Sequence, residues 1–227
     1  NSEGEYIDNG GRFKQGGMEE VAVQTALHTR KGVERILRFS FEMARTRRGK
    51  MTMITKSNAQ RYSYVMWDDI WEEIRGEYQD VESSKQHCDA AVMNFVRQPE
   101  SFDVVVASNL FGDLLTDLGG ILSGGLGLAP SCNINPEREF PSMFEPVHGS
   151  APDIAGMSIV NPMAMILSCA MMFEYSLNRT DLAEIITSSV RNVLKSGIAT
   201  KDLTDDNSYA STSQMGDKIL EDIKKSV

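Results

Sequence analysis

The sequence predicts an α/β protein, and three observations carry that reading. Apolar residues recur at two-residue spacing in some segments and at helical spacing in others, and the two kinds alternate along the chain. Residues 102–107 form a buried-type strand that runs directly into a helical, acidic segment, the strand-to-helix succession of a parallel sheet. The chain has 227 residues, 41% hydrophobic and 24% charged, which suffices for a packed core and excludes general disorder.

Residues 1–17 are polar and Gly-rich and read as a loop or arm. Across 21–29, Val21, Val23, Thr25 and Leu27 fall on one face, the pattern of a strand. Val33, Ile36, Leu37, Phe41 and Ala44 then recur at helical spacing up to the basic run 45–50. Residues 51–55 read as a short strand, and Trp67, Ile70, Trp71, Ile74 and Tyr78 mark an amphipathic helix over 62–78. A helix over 88–97 is stopped by Pro99. After the strand at 102–107, residues 110–118 are helical by pattern, and 119–135 are Gly-rich and loop-like. A short strand near Phe144 enters the loop HGSAPDIAG at 148–156, and Asn161 and Pro162 open an apolar helix. Asp181 and Glu184 have the spacing of a capping box for a helix over 182–195, and a last helix occupies 213–224. No internal repeat interrupts this order.

Charge and cysteine usage narrow the function classes. With 23 Lys and Arg against 32 Asp and Glu the net charge is −9, so a nucleic-acid partner, which needs clustered cations, is not expected. The balance is uneven: residues 1–64 are net basic and the remainder is strongly acidic. No stretch approaches the roughly 20 apolar residues of a membrane-spanning helix, and no membrane partner is expected. Cys88, Cys132 and Cys169 include no C-x-x-C pair, which argues against a disulfide scaffold or a Cys-based zinc site and for a reducing compartment, with a cytoplasmic location expected. The chain opens at Asn1 without an initiator Met, in the motif-like NSEGEY, and so reads as the C-terminal portion of a longer chain.

Three places could carry chemistry. SNLFGDLLTD (108–117) follows a strand, where α/β proteins place ligand sites, and puts Asp113 and Asp117 four apart on one helix face. Such a pair suits Mg²⁺ or Mn²⁺, and it reads equally as a solvated acidic face, although Leu114, Leu115 and Leu118 leave that helix little surface for solvent. In EPVHGSAPDIAG (145–156), Gly149, Ser150 and Gly156 could bring backbone groups close to a phosphate. Asp153 there could accept bonds from both hydroxyls of a ribose and would repel a 2′-phosphate; an ordinary turn with Asp as a local cap fits the same residues. Lys56 follows the strand at 51–55, where it could act as a base beside a cation or stand as a solvated surface group. Tyr6 is uninformative by itself, Asp89 is by default a helix cap, and no G-x-G-x-x-G occurs.

Taken in order, NSEGEY (1–6), TKSNA (55–59), ASNLFGDLLTDLGG (107–120), NPEREFPSMFEPVHGSAPDIAG (135–156) and NPMAMILSCAMM (161–172) resemble the isocitrate/3-isopropylmalate/tartrate dehydrogenase family of β-hydroxyacid oxidative decarboxylases. The insert NPEREFPS, with TKSN and ASNLFGD, is most similar to the tartrate/D-malate branch. The resemblance implies an isocitrate/isopropylmalate dehydrogenase-like α/β fold, a two-domain sandwich whose N-terminal part is missing from this chain. Residues 1–124 would belong mostly to the smaller, dimer-forming domain and 125–227 to half of the larger, cofactor-binding one.

It also implies roles. Asp113 and Asp117 resemble metal-binding aspartates of one subunit; Asp89, the third, and the catalytic Lys56 would be lent by the neighbouring subunit of a homodimer with shared active sites. Tyr6 is similar to the tyrosine that protonates the enolate. Asn58, Glu145, His148, Gly149, Ser150, Ala151, Asp153 and Asn161 match cofactor-binding positions, with Asp153–Ile154 of the NAD type. The implied cofactors are NAD and Mg²⁺ or Mn²⁺, with K⁺ a further candidate. The implied reaction is oxidative decarboxylation of tartrate or D-malate; 3-isopropylmalate dehydrogenase and a non-catalytic regulatory paralogue are the alternatives. The family's substrate-binding arginines lie upstream of this chain, which implies that the 227 residues alone are inactive.

Overall fold

The computed structural model describes residues 3–205 and 208–226. In chain order the elements are β1 (Gly10–Phe13), β2 (Val21–Gln24), α1 (Arg30–Arg45), β3 (Lys50–Thr55), α2 (Ser63–Arg75), β4 (Glu82–His87), α3 (Cys88–Arg97), β5 (Val104–Val106), α4 (Asn109–Leu122), β6 (Pro130–Asn133), β7 (Met143–Pro146), α5 (Met163–Tyr175), α6 (Thr180–Lys195) and α7 (Thr212–Ser226). The chain divides into two units, Asn1–Thr116 and Asp117–Val227, with the division inside α4.

The first unit is built on a parallel sheet of order β4-β3-β5. Residues of β3 after Lys50 are buried on both faces, as a central strand requires. Strand periodicity sorts them: Met51 and Met53, with Val104 and Val106 of β5, face a core filled by Val33, Leu37, Phe41 and Ala44 of α1 and Tyr64, Trp67, Ile70, Trp71 and Ile74 of α2. Ile54 faces the opposite side, against Ala91 of α3 and Leu115 of α4. Helices thus cover both faces, the α/β arrangement that the alternating pattern predicts. An antiparallel ribbon, β1–β2, stands apart from this sheet with nearly every residue exposed.

In the second unit, α5, α6 and α7 enclose Met163, Val190, Val193, Met215 and Ile219. The fully buried Ser168 hydroxyl of α5 lies 2.9 Å from the Glu145 carbonyl of β7 and accepts from the Ser131 N–H of β6, fastening the β6–β7 hairpin to the helix.

Several expectations need correction. The arm over 1–17 contains β1, and β4 (ESSKQH) had no apolar signature because it is the sheet's exposed edge. The helix expected to end at 118 runs to Leu122, and β6 lies within the expected loop at 119–135. Tyr78 falls beyond the end of α2. Asp181 and Glu184 make no capping box: α6 begins one residue before Asp181, no side chain caps it, and Asp181 instead forms a two-pronged pair with Arg179. That pairing holds the Asp181 carboxyl down at about 2.

Candidate active site

Two clusters of the sequence-selected residues form in the first unit, each from a strand or turn plus one helix. In the first, parallel register aligns Thr55 of β3 with His87 of β4, so the residues that follow both strands emerge at one sheet end. Lys56 leaves β3 there and Asp89 sits in the first turn of α3; Lys56 Nζ and Asp89 Oδ1 are 3.2 Å apart. Lys56 is mostly covered and Asp89 largely exposed. The Lys56 ammonium holds the Asp89 carboxyl below the usual carboxylate range, whereas burial pushes the neighbouring Cys88 thiol up. Asp89 is not the helix cap that its position suggested: His87 precedes the helix, and no side-chain cap bond forms.

Thr55 and Ser57 flank Lys56, and both hydroxyls donate to Asp68 of α2, at 2.7 and 2.9 Å. Lys85 Nζ donates to the same carboxylate at 3.0 Å. Asn58 lies exposed in the turn that follows, a turn closed by Ala59 N–H donating to the Lys56 carbonyl.

The second cluster joins Tyr6 to Asp113. Asn1 and Ser2 of NSEGEY lie outside the described residues, but Glu3 accepts from the Thr29 backbone N–H at 3.0 Å, and Thr29 caps α1. Gly4, at φ 81, pairs with Leu27 and turns the chain into the single 3₁₀ turn that presents Tyr6. The Tyr6 hydroxyl then lies 3.4 Å from Asp113 Oδ2. Partial loss of water, followed by the negative charge of Asp113, raises the Tyr6 phenol above its ordinary value.

Asp113 and Asp117 are one turn apart on α4, both exposed and without a cationic partner among the described residues. Leu114 is also exposed, 57%, so the leucines do not deprive this helix of solvent-facing surface as expected; only Leu115 is buried. Among the described residues, no three His, Cys, Asp or Glu side chains gather closely enough to hold a metal ion. Asp89, Asp113 and Asp117 therefore do not gather as one three-carboxylate cluster among the described residues.

The second unit holds the loop residues. Glu145 lies exposed on β7, and His148 Nδ1 donates to the Gly149 carbonyl at 2.9 Å. Gly149, Ser150, Ala151 and Asp153 are all exposed, and no hydrogen bond or ion pair among the described residues holds the Asp153 carboxylate. Ala151 has φ 41 and Gly156 φ 79, so the backbone turns through left-handed positions on both sides of Asp153. Asn161 is buried and engaged: its oxygen accepts from Met163 N–H at 2.9 Å, and its amide donates to Asp202 at 3.0 Å. A Cβ on Gly127 would lie 2.7 Å from Asp202 and 2.8 Å from Asn161, so only glycine fits beside that pair. Asp68, Asp202 and Glu3 were not legible in advance, because nothing in sequence spacing links them to their partners.

A model of the isocitrate/isopropylmalate dehydrogenase family matches residues 1–219. The chain belongs to that family. It is 44% identical over 99% of its length to a probable tartrate dehydrogenase/decarboxylase of Bacillus subtilis and 46% identical over 96% to the decarboxylating D-malate dehydrogenase of Escherichia coli. It is 45% identical over 97% to a 3-isopropylmalate dehydrogenase of Thermobifida fusca. The chain spans about three-fifths of these relatives, 60–62% of their lengths. The crystal structure of isocitrate dehydrogenase from Methylococcus capsulatus superposes with a TM-score of 0.91 at 41% identity, covering 98% of this chain and 65% of that one. The fold is that of the isocitrate/isopropylmalate dehydrogenases. No helix among the described residues is long and apolar enough to cross a membrane, and the three cysteines are free thiols.

Proposed function

We propose that this chain serves an NAD-linked, Mg²⁺- or Mn²⁺-dependent enzyme that oxidises and decarboxylates a small 2-hydroxy dicarboxylic acid, tartrate or D-malate. The observation that carries this reading is the pairing of proton-transfer groups with carboxylates: Lys56 with Asp89 at 3.2 Å, and Tyr6 with Asp113 at 3.4 Å. The residues suit both cofactors. Asp113 and Asp117 offer oxygen ligands on one helix face, with no cationic partner among the described residues, and oxygen ligands suit a hard divalent ion. The exposed loop at 148–156 offers backbone groups around Gly149 and Ser150, and an unengaged Asp153 for ribose hydroxyls.

When bound, the cation lowers the pKa of the substrate hydroxyl and stabilises the charge left as CO₂ departs, while NAD⁺ accepts the hydride. Lys56 Nζ, released from Asp89 and neutral, takes the C2 hydroxyl proton as the hydride leaves C2. Asp113 and Asp117, with Asp89 of a second copy, would hold the cation. After CO₂ leaves C3, the Tyr6 hydroxyl returns a proton to that carbon. From D-malate the products are pyruvate, CO₂ and NADH.

Lys56 and Asp89 serve the site of a second copy, and Tyr6, Asp113 and Asp117 serve their own. That Asp89, Asp113 and Asp117 form no three-carboxylate cluster among the described residues supports this reading. The apolar stripe of α2 is not open to a second copy: Trp67, Ile70, Trp71 and Ile74 are buried in their own unit. Val92, Met93 and Val96 of α3 remain exposed, as do Phe13, Val21 and Val23 of the β1–β2 ribbon, and these are the faces that a second copy would cover. On this reading residues 1–124 belong to the dimer-forming domain and 125–227 to the cofactor-binding one, with Asn58, Glu145, His148, Ala151 and Asn161 along the cofactor's path.

Steady-state rates of the full-length protein with D-malate, tartrate, 3-isopropylmalate and isocitrate, each with NAD⁺ and NADP⁺ in the presence of Mn²⁺, test the proposal. D-malate or tartrate with NAD⁺ should give the highest kcat/KM, with release of CO₂. A preference for 3-isopropylmalate would favour the second reading, which rests on the 45% identity to that dehydrogenase. Inactivity with all four acids would contradict both and favour a non-catalytic paralogue.

A further inference from the structure

Asp68 lies on α2, a helix locked by the burial of Trp67, Ile70 and Trp71 in the first unit's core. Its side chain is only 16% exposed, so its carboxylate must find partners within the protein. Two of the three partners it finds are the residues on either side of Lys56. The Thr55 hydroxyl donates at 2.7 Å and the Ser57 hydroxyl at 2.9 Å, while Lys85, at 3.0 Å, supplies the balancing charge. Thr55 is 2% exposed, and its Oγ1, having given its proton to Asp68, accepts the Ser57 backbone N–H at 3.3 Å.

This grip has a directional consequence. Along β3 successive side chains point to opposite sides, which puts Thr55, its last residue, on the face of Met51 and Met53. Ser57 lies in the turn just beyond the strand. With Thr55 and Ser57 both turned toward α2, the intervening Lys56 leaves on the side of α3, where it meets Asp89 at 3.2 Å. The two helices cover opposite faces of the sheet, α2 the Phe41 side and α3 the Ile54 side.

We propose that Asp68 is a positioning residue that aims Lys56, by gripping the hydroxyls of Thr55 and Ser57 on either side of it. The proposal deepens the reading of Lys56 as proton acceptor and rests on that reading for its catalytic meaning. Its geometric content stands without it. Asp68 touches neither Lys56 nor any reacting atom; it acts through the backbone between them.

The test reads Lys56 directly. The parent protein and the variants Asp68→Asn, Thr55→Val and Thr55→Ser are treated with an N-hydroxysuccinimide acetate ester at fixed pH, and acetylation of each lysine is followed by peptide mass spectrometry. Thr55→Val keeps the shape and loses the hydroxyl, whereas Thr55→Ser loses a methyl and keeps the hydroxyl. Lys56 should react about fivefold faster in Thr55→Val and Asp68→Asn, the change in released population expected for one lost hydrogen bond. Thr55→Ser should stay within about twofold of the parent on the same argument.

Lys50 at the start of the same strand, paired with Glu82, and Lys218, paired with Glu221, serve as controls. Equal Lys56 rates in all four proteins would overturn the proposal. So would a parallel rise at Lys50, which would mean general loosening of β3, or a larger effect from Thr55→Ser than from Thr55→Val, which would mean packing rather than the hydroxyl. Lys56→Ala, assayed for turnover, separates the two layers. Parental kcat in Lys56→Ala together with the expected labelling pattern would sink the catalytic reading and leave the positioning intact. Loss of kcat with unchanged labelling in the other variants would do the reverse.

Discussion

The sheet end that carries Lys56 and the loop that carries Asp153 are held in opposite ways. Around Lys56, side chains do the holding: Asp68 grips Thr55 and Ser57, Asp89 pairs with the lysine, and the strand itself is buried. Around Asp153 the backbone does it, through left-handed positions at Ala151 and Gly156, and the side chains stay exposed. Proton transfer demands a lysine placed within a few tenths of an ångström, because small misplacement costs rate steeply. Binding an extended cofactor asks for backbone donors and one correctly charged side chain, which an open loop supplies. Substitutions at the sheet end should therefore act on kcat, and substitutions in the loop on cofactor choice.

The largest effect is expected at the sheet end. Lys56→Ala in the full-length enzyme should lower kcat by roughly 10²–10⁴, the usual contribution of a general base, with little change in the KM for NAD⁺. An equal loss shared between kcat and that KM would blur the contrast. In the loop, Asp153→Lys should shift the ratio of kcat/KM for NAD⁺ over NADP⁺ toward NADP⁺ by about tenfold or more, replacing repulsion of the 2′-phosphate by attraction. Retained NAD⁺ preference would remove Asp153 from the ribose.

Stability should divide in the same direction. Tyr64→Phe removes a buried hydroxyl that lies 2.5 Å from the Ser108 hydroxyl, and should cost about 1–2 kcal/mol in denaturant unfolding. Asp153→Ala, at an exposed residue without a partner among the described residues, should stay within about 0.5 kcal/mol of the parent. Near-equal costs would mean that the loop is braced more firmly than its contacts indicate.

A smaller effect concerns Tyr6. Its phenol is raised first by partial loss of water and then by the charge of Asp113, so it keeps its proton further into alkaline pH than a free tyrosine. Asp113→Asn removes the charge and leaves the loss of water. The Tyr6 titration, followed by ¹³C-tyrosine NMR, should move to lower pH without returning fully to the ordinary value. A shift to higher pH would contradict the contact.

The same contrast explains what the sequence disclosed. Helix α3 follows residues 88–97 as spacing predicts, because Pro99 and the apolar repeat are local signals. The edge strand β4, ESSKQH, has no apolar alternation, since neither of its faces is well buried; its existence depends on pairing with β3. Asp181 and Glu184 match a capping box in spacing, yet Arg179 takes the aspartate, a competition that spacing does not reveal. Trp67, Ile70, Trp71 and Ile74 form a true apolar stripe, but a stripe does not tell whether its own unit or a second copy covers it. Lys56, Asp89, Asp113 and Tyr6 were named through motif resemblance. Their pairwise grouping, and the part taken by Asp68, required the fold, because the partners are separated along the chain by 11 to 107 residues.

The central claim is that these groups complete one another only between two copies. Mixing full-length Lys56→Ala with full-length Asp113→Asn, under conditions where subunit exchange is demonstrated by native mass spectrometry, tests it most directly. Each variant alone should be inactive. In the mixed dimer one site carries both lesions and the other neither, so Mn²⁺-dependent NADH formation from the preferred hydroxy acid should return, to about half of the parental rate per mixed dimer. A mixture that exchanges subunits and remains inactive would place Lys56 and Asp113 in the same copy's site and contradict the account.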